Sequence, residues 1–300
     1  MKEINKIPLS EVKFHKPQSL PEALKLLQEL DQPRVLAGGT DILVDLKQGL
    51  ARVKNLISLQ NIDYLKTIEK KAGSLRIGAM TTADEIASSS LIHQYFPALQ
   101  EAAQSMASYQ IRTMATIGGN LASAVPSADF PPVLIAAGAS VELQSLHSSR
   151  YVLLSDFFTG PRETVCQPGE VLTLIDIPLP PPATGISFQK FSRREANALA
   201  VASVAARLTV KDGIISNSTI VLGAVAPTPF TATKASEFLT LKKPSETVFQ
   251  EAASLARDES RPISDVRGSV WFRKELVHVL TRKALDEALK RAQGSLERGS

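Results

Sequence analysis

An α+β fold in two parts is what this sequence predicts, and three observations carry the prediction. A β-type run reaches Gly38-Gly39, apolar residues then recur at helical spacing, and a second β-type run follows. Two long apolar runs, 200–210 and 214–224, meet at Asp212-Gly213, a dipeptide suited to a two-residue hairpin. The remainder of the last third reads as helices. Between the parts lies Pro178-Leu-Pro-Pro-Pro-Ala-Thr-Gly185, the clearest break in the chain. It separates residues 1–177, themselves divided near residue 60, from residues 178–300, a small antiparallel sheet with helices.

In chain order, Ser19-Leu-Pro-Glu22 is a capping-box pattern ahead of Leu24, Leu27 and Leu30, so a helix is expected over about 20–30. Residues 34–37 form a strand entering the Gly-Gly pair. Ile42, Leu43, Leu46 and Leu50 mark a helix closing near Gly49, and 55–59 is the next strand. Strand–loop–helix–strand presents backbone N–H groups to a phosphate. There is no G-x-G-x-x-G and no acidic residue placed for a ribose contact, which disfavours a Rossmann domain. Residues 75–79 alternate as a strand, Thr82-Ala-Asp-Glu85 opens a short helix, and Pro97 precedes a small-residue helix from 98 to about 108. A short helix over 133–137 stops at Gly138. Strands follow over 140–146 and 151–154, and 171–177 is apolar enough for a central strand. Past the break come a strand over 186–191, the hairpin, and helices over 233–239, 245–256 and 270–293, the last ended by Gly294.

Composition excludes several classes. The 300 residues are 44% hydrophobic, enough for a well-buried core. No run of about 18 apolar residues occurs, so no membrane span is expected. Met1-Lys-Glu-Ile-Asn-Lys-Ile-Pro8 has no apolar signal region, and the expectation is a cytoplasmic chain. A net charge of +4, from 34 basic and 30 acidic residues spread along the chain, does not argue for nucleic acid. Cys166 is the only cysteine, so the chain has no internal disulfide and no cysteine-ligated iron–sulfur cluster of its own. Its turn-like setting, Val-Cys-Gln-Pro-Gly, fits an inert thiol. His15, His93, His147 and His278 stand too far apart for a metal motif, and no metal site is assigned. Neither G-x-S-x-G nor a P-loop is present, and no side chain is assigned a catalytic role.

The densest run of small residues is Thr116-Ile117-Gly118-Gly119-Asn120, continuing to Asp129. Adjacent glycines let backbone approach a ligand closely, and free N–H groups there form an anion cradle. Thr116, Asn120 and Asp129 add hydrogen-bonding groups. One Gly-Gly pair is more often a plain turn. A matching stretch, Val35-Leu36-Ala37-Gly38-Gly39-Thr40-Asp41-Ile42, changes that reading, because two such loops can grip an extended pyrophosphate dinucleotide from two sides.

The stretches 37–47 and 116–129 resemble the FAD subunit of molybdenum hydroxylases, the family of xanthine dehydrogenase- and carbon monoxide dehydrogenase-type enzymes. The resemblance spans nearly the whole chain. It implies a PCMH/VAO-type FAD-binding fold of two subdomains over 1–177, followed by a CO dehydrogenase flavoprotein-like domain over 178–300. It also implies partner chains that hold molybdopterin (large) and [2Fe–2S] clusters (small). Electrons would cross the clusters to FAD and leave to NAD+, oxygen or another acceptor. The extra cluster loop of the hydroxybenzoyl-CoA reductase branch is absent here.

By the same resemblance, Val35 through Ile42 wrap the pyrophosphate and ribityl side, and Thr116, Ile117, Gly118, Gly119 and Asn120 complete the cradle. Asp129 lies near the adenosine or ribose, Leu172 offers backbone to the adenine side, and Lys190 is close to the flavin. A cation there favours negative charge on the reduced flavin. Against this, Lys190 reads simply as a surface charge at a strand end. Ala107 and Ala115 are expected as close backbone neighbours. Where relatives often carry an aromatic residue upstream of the second loop, this chain has Met106, with Tyr109 three residues on. Arg193-Arg194-Glu195 reads as a solvated turn. Two rival functions remain at this level: a self-contained flavin-dependent reductase of the same fold, and a non-catalytic nucleotide-binding assembly module.

Overall fold

The structure, a computed structural model, describes residues 11–194 and 199–297, without the side chains of the last three. The Met1–Pro8 stretch and Glu195 lie outside the described residues. Strands β1 (Lys13–His15), β2 (Pro33–Leu36) and β3 (Asn55–Ser58) form a parallel sheet in the order β1-β3-β2. Helices α1 (Leu20–Glu29) and α2 (Ile42–Gln48) connect them. Ser19 caps α1 by accepting from the Glu22 amide at 3.3 Å. The Glu22 carboxylate takes the Gln18 amide and not that of Ser19, so the box is shifted by one residue. Leu20, Ala23 and Leu24 bury against Ile57 and Leu59. Gly49 ends α2 in the left-handed region, φ 73°.

The second layer is a five-stranded antiparallel sheet of β4 (Ile68–Lys71), β5 (Ser74–Gly78), β6 (Ser140–Gln144), β7 (Ser149–Leu153) and β10 (Val171–Pro178). Its order is β4-β5-β10-β6-β7, so the apolar run at 171–178 is the central strand. The short pair β8 (Phe158–Gly160) and β9 (Glu163–Thr164) precedes it. Between β5 and β6 run α3 (Ala83–Ser88), α4 (Ser90–Tyr95), α5 (Pro97–Gln104), α6 (Tyr109–Arg112), α7 (Ile117–Ala122) and α8 (Phe130–Ala136). Thr82 and Glu85 close a full capping box on α3. The expected helix to about 108 ends at Gln104. Ala107 adopts φ 43°, which a helix cannot continue through, and Ser108 and Thr116 each start a new helix by capping an amide.

The third layer is an antiparallel sheet of β11 (Thr184–Ser192), β12 (Ala200–Lys211), β13 (Ile214–Gly223) and β14 (Phe230–Thr231). Asp212 and Gly213, at φ 52° and 75°, supply the paired positive angles of the hairpin turn. Both faces of β12 are covered: Ala205 joins the core under α5 and α8, whereas Ala202, Val204, Ala206 and Leu208 face α9 (Thr233–Leu239), α10 (Glu246–Glu259) and α11 (Val270–Glu297). Helix α11 lies directly on bare strand backbone, since a Cβ on Gly185 would come 2.0 Å from the Ala288 carbonyl oxygen. It also runs through the expected stop at Gly294, which does not take a left-handed φ. Arg291 on α11 donates to the Ile186 carbonyl at 2.9 Å and pairs with Glu101 on α5, joining the third layer to the second. Among the described residues no helix is long and apolar enough to cross a membrane.

Candidate functional site

The first Gly-Gly loop leaves the end of β2 half-exposed. Gly39 turns the chain at φ 77°, and the amides of Gly38, Gly39, Thr40 and Asp41 donate to no protein acceptor among the described residues. Four successive open amides are the kind of group an anion cradle uses. Asp41 stands at the N-cap position of α2, yet its carboxylate does not cap; it accepts from Ser123 Oγ at 2.7 Å. Val35, Leu36 and Ala37 are half-buried behind the loop, and Ile42 opens α2 against Leu46 and Val53.

The second loop faces the first at glycine distance. A Cβ on Gly38 would sit 1.8 Å from the Met114 carbonyl oxygen and 3.2 Å from Ala115 Cα. A Cβ on Gly119 would meet Thr116 Oγ1 at 2.9 Å and Ala37 Cβ at 3.7 Å. Gly118 rests on Ala79, whose carbonyl oxygen a Cβ would approach to 2.7 Å. Here the amides are not open. Ile117 donates to Thr81 O, Gly118 to Ala79 O and Asn120 to Thr116 O, each at 2.9 Å, and Gly119 donates to Thr116 Oγ1 at 3.1 Å. The start of α7 is docked on the β5 exit and satisfies its own donors. This loop therefore offers close approach and the Asn120 side chain, whose Oδ1 is buried without a partner. Arg162 to Asp45, at 2.7 Å, ties the 158–164 hairpin to α2.

A second polar cluster lies on α8 and β11. Lys190 is not a surface charge: its side chain is 7% exposed, and Nζ donates to Asp129 Oδ2 at 2.8 Å and to the Ser105 carbonyl at 3.0 Å. Asp129 occupies the N-cap position of α8 without capping it. Pro131 and Pro132 remove two donors from that helix start, which frees the carboxylate for Lys190. Burial pushes the Asp129 carboxyl up to about 6 even against the pull of Lys190. Its Oδ1 is buried with no partner. Lys190 also borders a cavity of about 390 Å³ lined by Glu101, Ser105, Phe188, Gln189, Glu287 and Arg291.

The structure places the other expected residues apart from these two polar centres or behind them. Leu172 is buried beside a bulge in β10, and the adjoining Thr173 carbonyl accepts the Ala79 amide at 3.0 Å, linking that strand to the second loop. Ala115 is buried beneath Gly38, and Ala107 is half-buried at positive φ. Met106 belongs to the core and gives its carbonyl to Arg112, whereas Tyr109 is 60% exposed at the start of α6. Arg193 and Arg194 are exposed. Burial raises the Cys166 thiol above its ordinary value, which disfavours the thiolate. No hydrogen bond joins the Asp129–Lys190 pair to the Gly-Gly loops. That pairing has no local signal, since its members lie 61 residues apart.

Apposed glycine loops, the first with open amides, and buried polar atoms that lack partners are what a class of nucleotide-holding proteins would need. Comparison with known proteins makes the class specific. A family model described as the FAD binding domain in molybdopterin dehydrogenase matches residues 10–180, and the CO dehydrogenase flavoprotein C-terminal domain matches 186–288. The chain is 34% identical over 281 residues to the carbon monoxide dehydrogenase medium chain of Afipia carboxidovorans, covering 93% of this chain and 97% of that one. It is 32% identical over 294 residues to the xanthine dehydrogenase FAD-binding subunit of Escherichia coli O157:H7, covering 95% and 98%. In the solved structure of reconstituted CO dehydrogenase from Oligotropha carboxidovorans, one chain superposes with a TM-score of 0.90 at 33% identity, covering 93% of this chain and 98% of that one. This protein belongs to the family of FAD-binding subunits of molybdenum hydroxylases, with a PCMH-type FAD-binding fold. The residues present fit FAD: an open anion cradle at 38–41, glycine faces that admit close approach, and the unpartnered oxygens of Asn120 and Asp129.

Proposed function

We propose that the chain is the electron-transfer subunit of a multi-subunit molybdenum hydroxylase, which accepts electrons from [2Fe–2S] clusters in a partner chain and passes them to NAD+, oxygen or another acceptor. In this reading residues 1–177 hold FAD, and 178–300 pack behind that unit. A molybdopterin-binding chain completes the complex and contains the substrate pocket. The observation that carries the reading is the pair of apposed Gly-Gly loops with four open amides at 38–41.

When bound, the isoalloxazine supplies the capacity to take up an electron pair and release it. The protein's own residues bind and tune. The amides of Gly38 to Asp41 hold the pyrophosphate, with Val35, Leu36, Ala37 and Ile42 shaping the wall behind them. Gly118 and Gly119 keep the opposite wall free of side chains, Thr116 fixes the Gly119 amide, and Asn120 Oδ1 accepts a hydrogen bond. Ala107, Ala115, Ile117 and the Leu172 backbone bound the pocket. Asp129 presents its free oxygen, and Lys190 places a buried ammonium whose charge is partly offset by the Asp129 carboxylate it pairs with.

The visible absorption spectrum of the purified chain tests this, together with identification of any nucleotide released on denaturation. About one FAD per chain is expected. A colourless protein that also takes up no added FAD would overturn the assignment.

A further inference from the structure

Helix α2 begins inside the first Gly-Gly loop. The Leu43 amide donates to the Gly39 carbonyl and the Asp45 amide to that of Asp41, so any shift of α2 carries the open amides of 38–41 with it. Hydrophobic packing does little to fix that helix against the second layer. Among the described residues, the apolar cluster beneath α2 is built from positions 12–56 alone, whereas the cluster beneath α1 reaches Val171 of β10. Leu43 and Val44 on α2 stay exposed.

Polar bonds make the connection instead. Asp41 and Asp45, one helical turn apart, accept from Ser123 Oγ and from Arg162 Nη1, each at 2.7 Å. The two partners are themselves joined: the Arg162 amide donates at 2.8 Å to the carbonyl of Ala124, the residue after Ser123. Ala124 and Arg162 both hold left-handed backbone, φ 46° and 64°, with no glycine at either position. A side chain enters that region at a cost, and strain kept on both sides of one hydrogen bond points to a functional demand on the junction. The arm that presents Arg162 is firm. Phe157 at its base is buried in the core of the second layer, Phe158 packs edge-on against it, and β8 pairs with β9.

We propose that Arg162 is a positioning residue for the cofactor. By holding Asp45 it latches α2, and with it the amides of 38–41, at the distance from the second loop that a bound pyrophosphate requires, and so slows release of the dinucleotide. The inference rests on the FAD-binding reading above. Arg162 acts through α2 and touches no part of the cofactor in this role. The rival role is that of an ordinary surface ion pair, since the guanidinium is half-exposed. Such pairs add little to stability. The two roles differ in what they move: a surface pair alters at most the melting of the chain, whereas a latch alters retention of FAD in a chain that melts normally.

The test follows FAD release from the 300-residue chain by the rise in flavin fluorescence on dilution, beside thermal melts of the flavin-free chain. Arg162→Gly keeps the left-handed turn and removes the guanidinium. Asp45→Asn removes the opposite charge, and Arg162→Lys keeps a cation able to make the single bond that Nη1 makes now. Arg162→Gly and Asp45→Asn are each expected to speed release about tenfold with melting little changed. The double variant should release no faster than either single one, because both break the same bond. Arg162→Lys should restore most of the retention, and added salt should speed release from the unaltered chain more than from Arg162→Gly. Release unchanged in both single variants would overturn the latch. So would losses that multiply in the double variant, or faster release only in variants whose melting falls in step. An unaltered chain that takes up no FAD would overturn the underlying reading instead.

Discussion

Asp129 takes its role from residues far away in sequence. At a helix start it would ordinarily cap; the two prolines that follow release it, and Lys190 takes the free carboxylate. Burial raises its carboxyl from 3.8 to about 6. The folded value lies above the unfolded one, so the protonated form favours the native state. That contribution is fully present below about pH 4 and is lost as pH rises through about 6. Asp129→Asn removes the titration. In the flavin-free chain, its unfolding free energy relative to the unaltered protein should rise by up to about 3 kcal/mol between pH 4 and 7, on top of a constant term from exchanging a neutral carboxyl for an amide in the same buried contacts. Denaturant melts across that range measure it, and a difference independent of pH would show that Asp129 titrates as an ordinary carboxyl. Lys190→Met should leave FAD bound and lower its reduction potential by on the order of 30 mV, the two-electron equivalent of about 1.4 kcal/mol. Spectroelectrochemistry reads this directly, and an unchanged potential would remove Lys190 from the flavin's surroundings.

At the scale of elements, the two Gly-Gly loops are alike in sequence and different in work. The first keeps its amides open, while the second docks its amides on the β5 exit and contributes a bare wall. Gly119→Val tests the wall. Its branched side chain would displace Thr116 Oγ1, weakening the α7 cap by about 1 kcal/mol, and would extend toward Ala37 across the gap between the loops. Loss of FAD with a cooperative thermal melt preserved is the expected result; normal FAD content would show that the gap does not admit the cofactor. Much of this level was legible in the sequence. The β2–α2–β3 unit followed from helical spacing after a Gly-Gly pair, and the β12–β13 hairpin from Asp212-Gly213. The small helices α6 and α7 were not legible, because Ser108 and Thr116 act as caps only once Ala107 has turned the chain at positive φ. Nor was β4, whose Ile68-Glu-Lys-Lys71 is polar and edge-placed and owes its strand conformation to pairing with β5. Open amides in one loop and satisfied amides in the other depend on what each docks against, which residue type alone does not reveal.

For the whole molecule, layers and connections follow from which faces must be covered. The β12 strand is apolar on both sides and is enclosed by α5 and α8 on one face and by the last three helices on the other. The bonds that close the structure span long stretches of chain: Asp41 to Ser123, Asp45 to Arg162, Asp129 to Lys190 and Glu101 to Arg291 are 82, 117, 61 and 190 residues apart. On the ribosome, where N-terminal segments emerge first, the first Gly-Gly loop appears well before Ser123 and Arg162, which tie Asp41 and α2 in place. The Glu101 clasp waits for α11, nearly the last segment made. Closure of such distant pairs comes late and slowly. A nascent chain therefore carries an unlaced cleft until Lys190 has emerged, and the clasp between α5 and α11 forms only as synthesis ends.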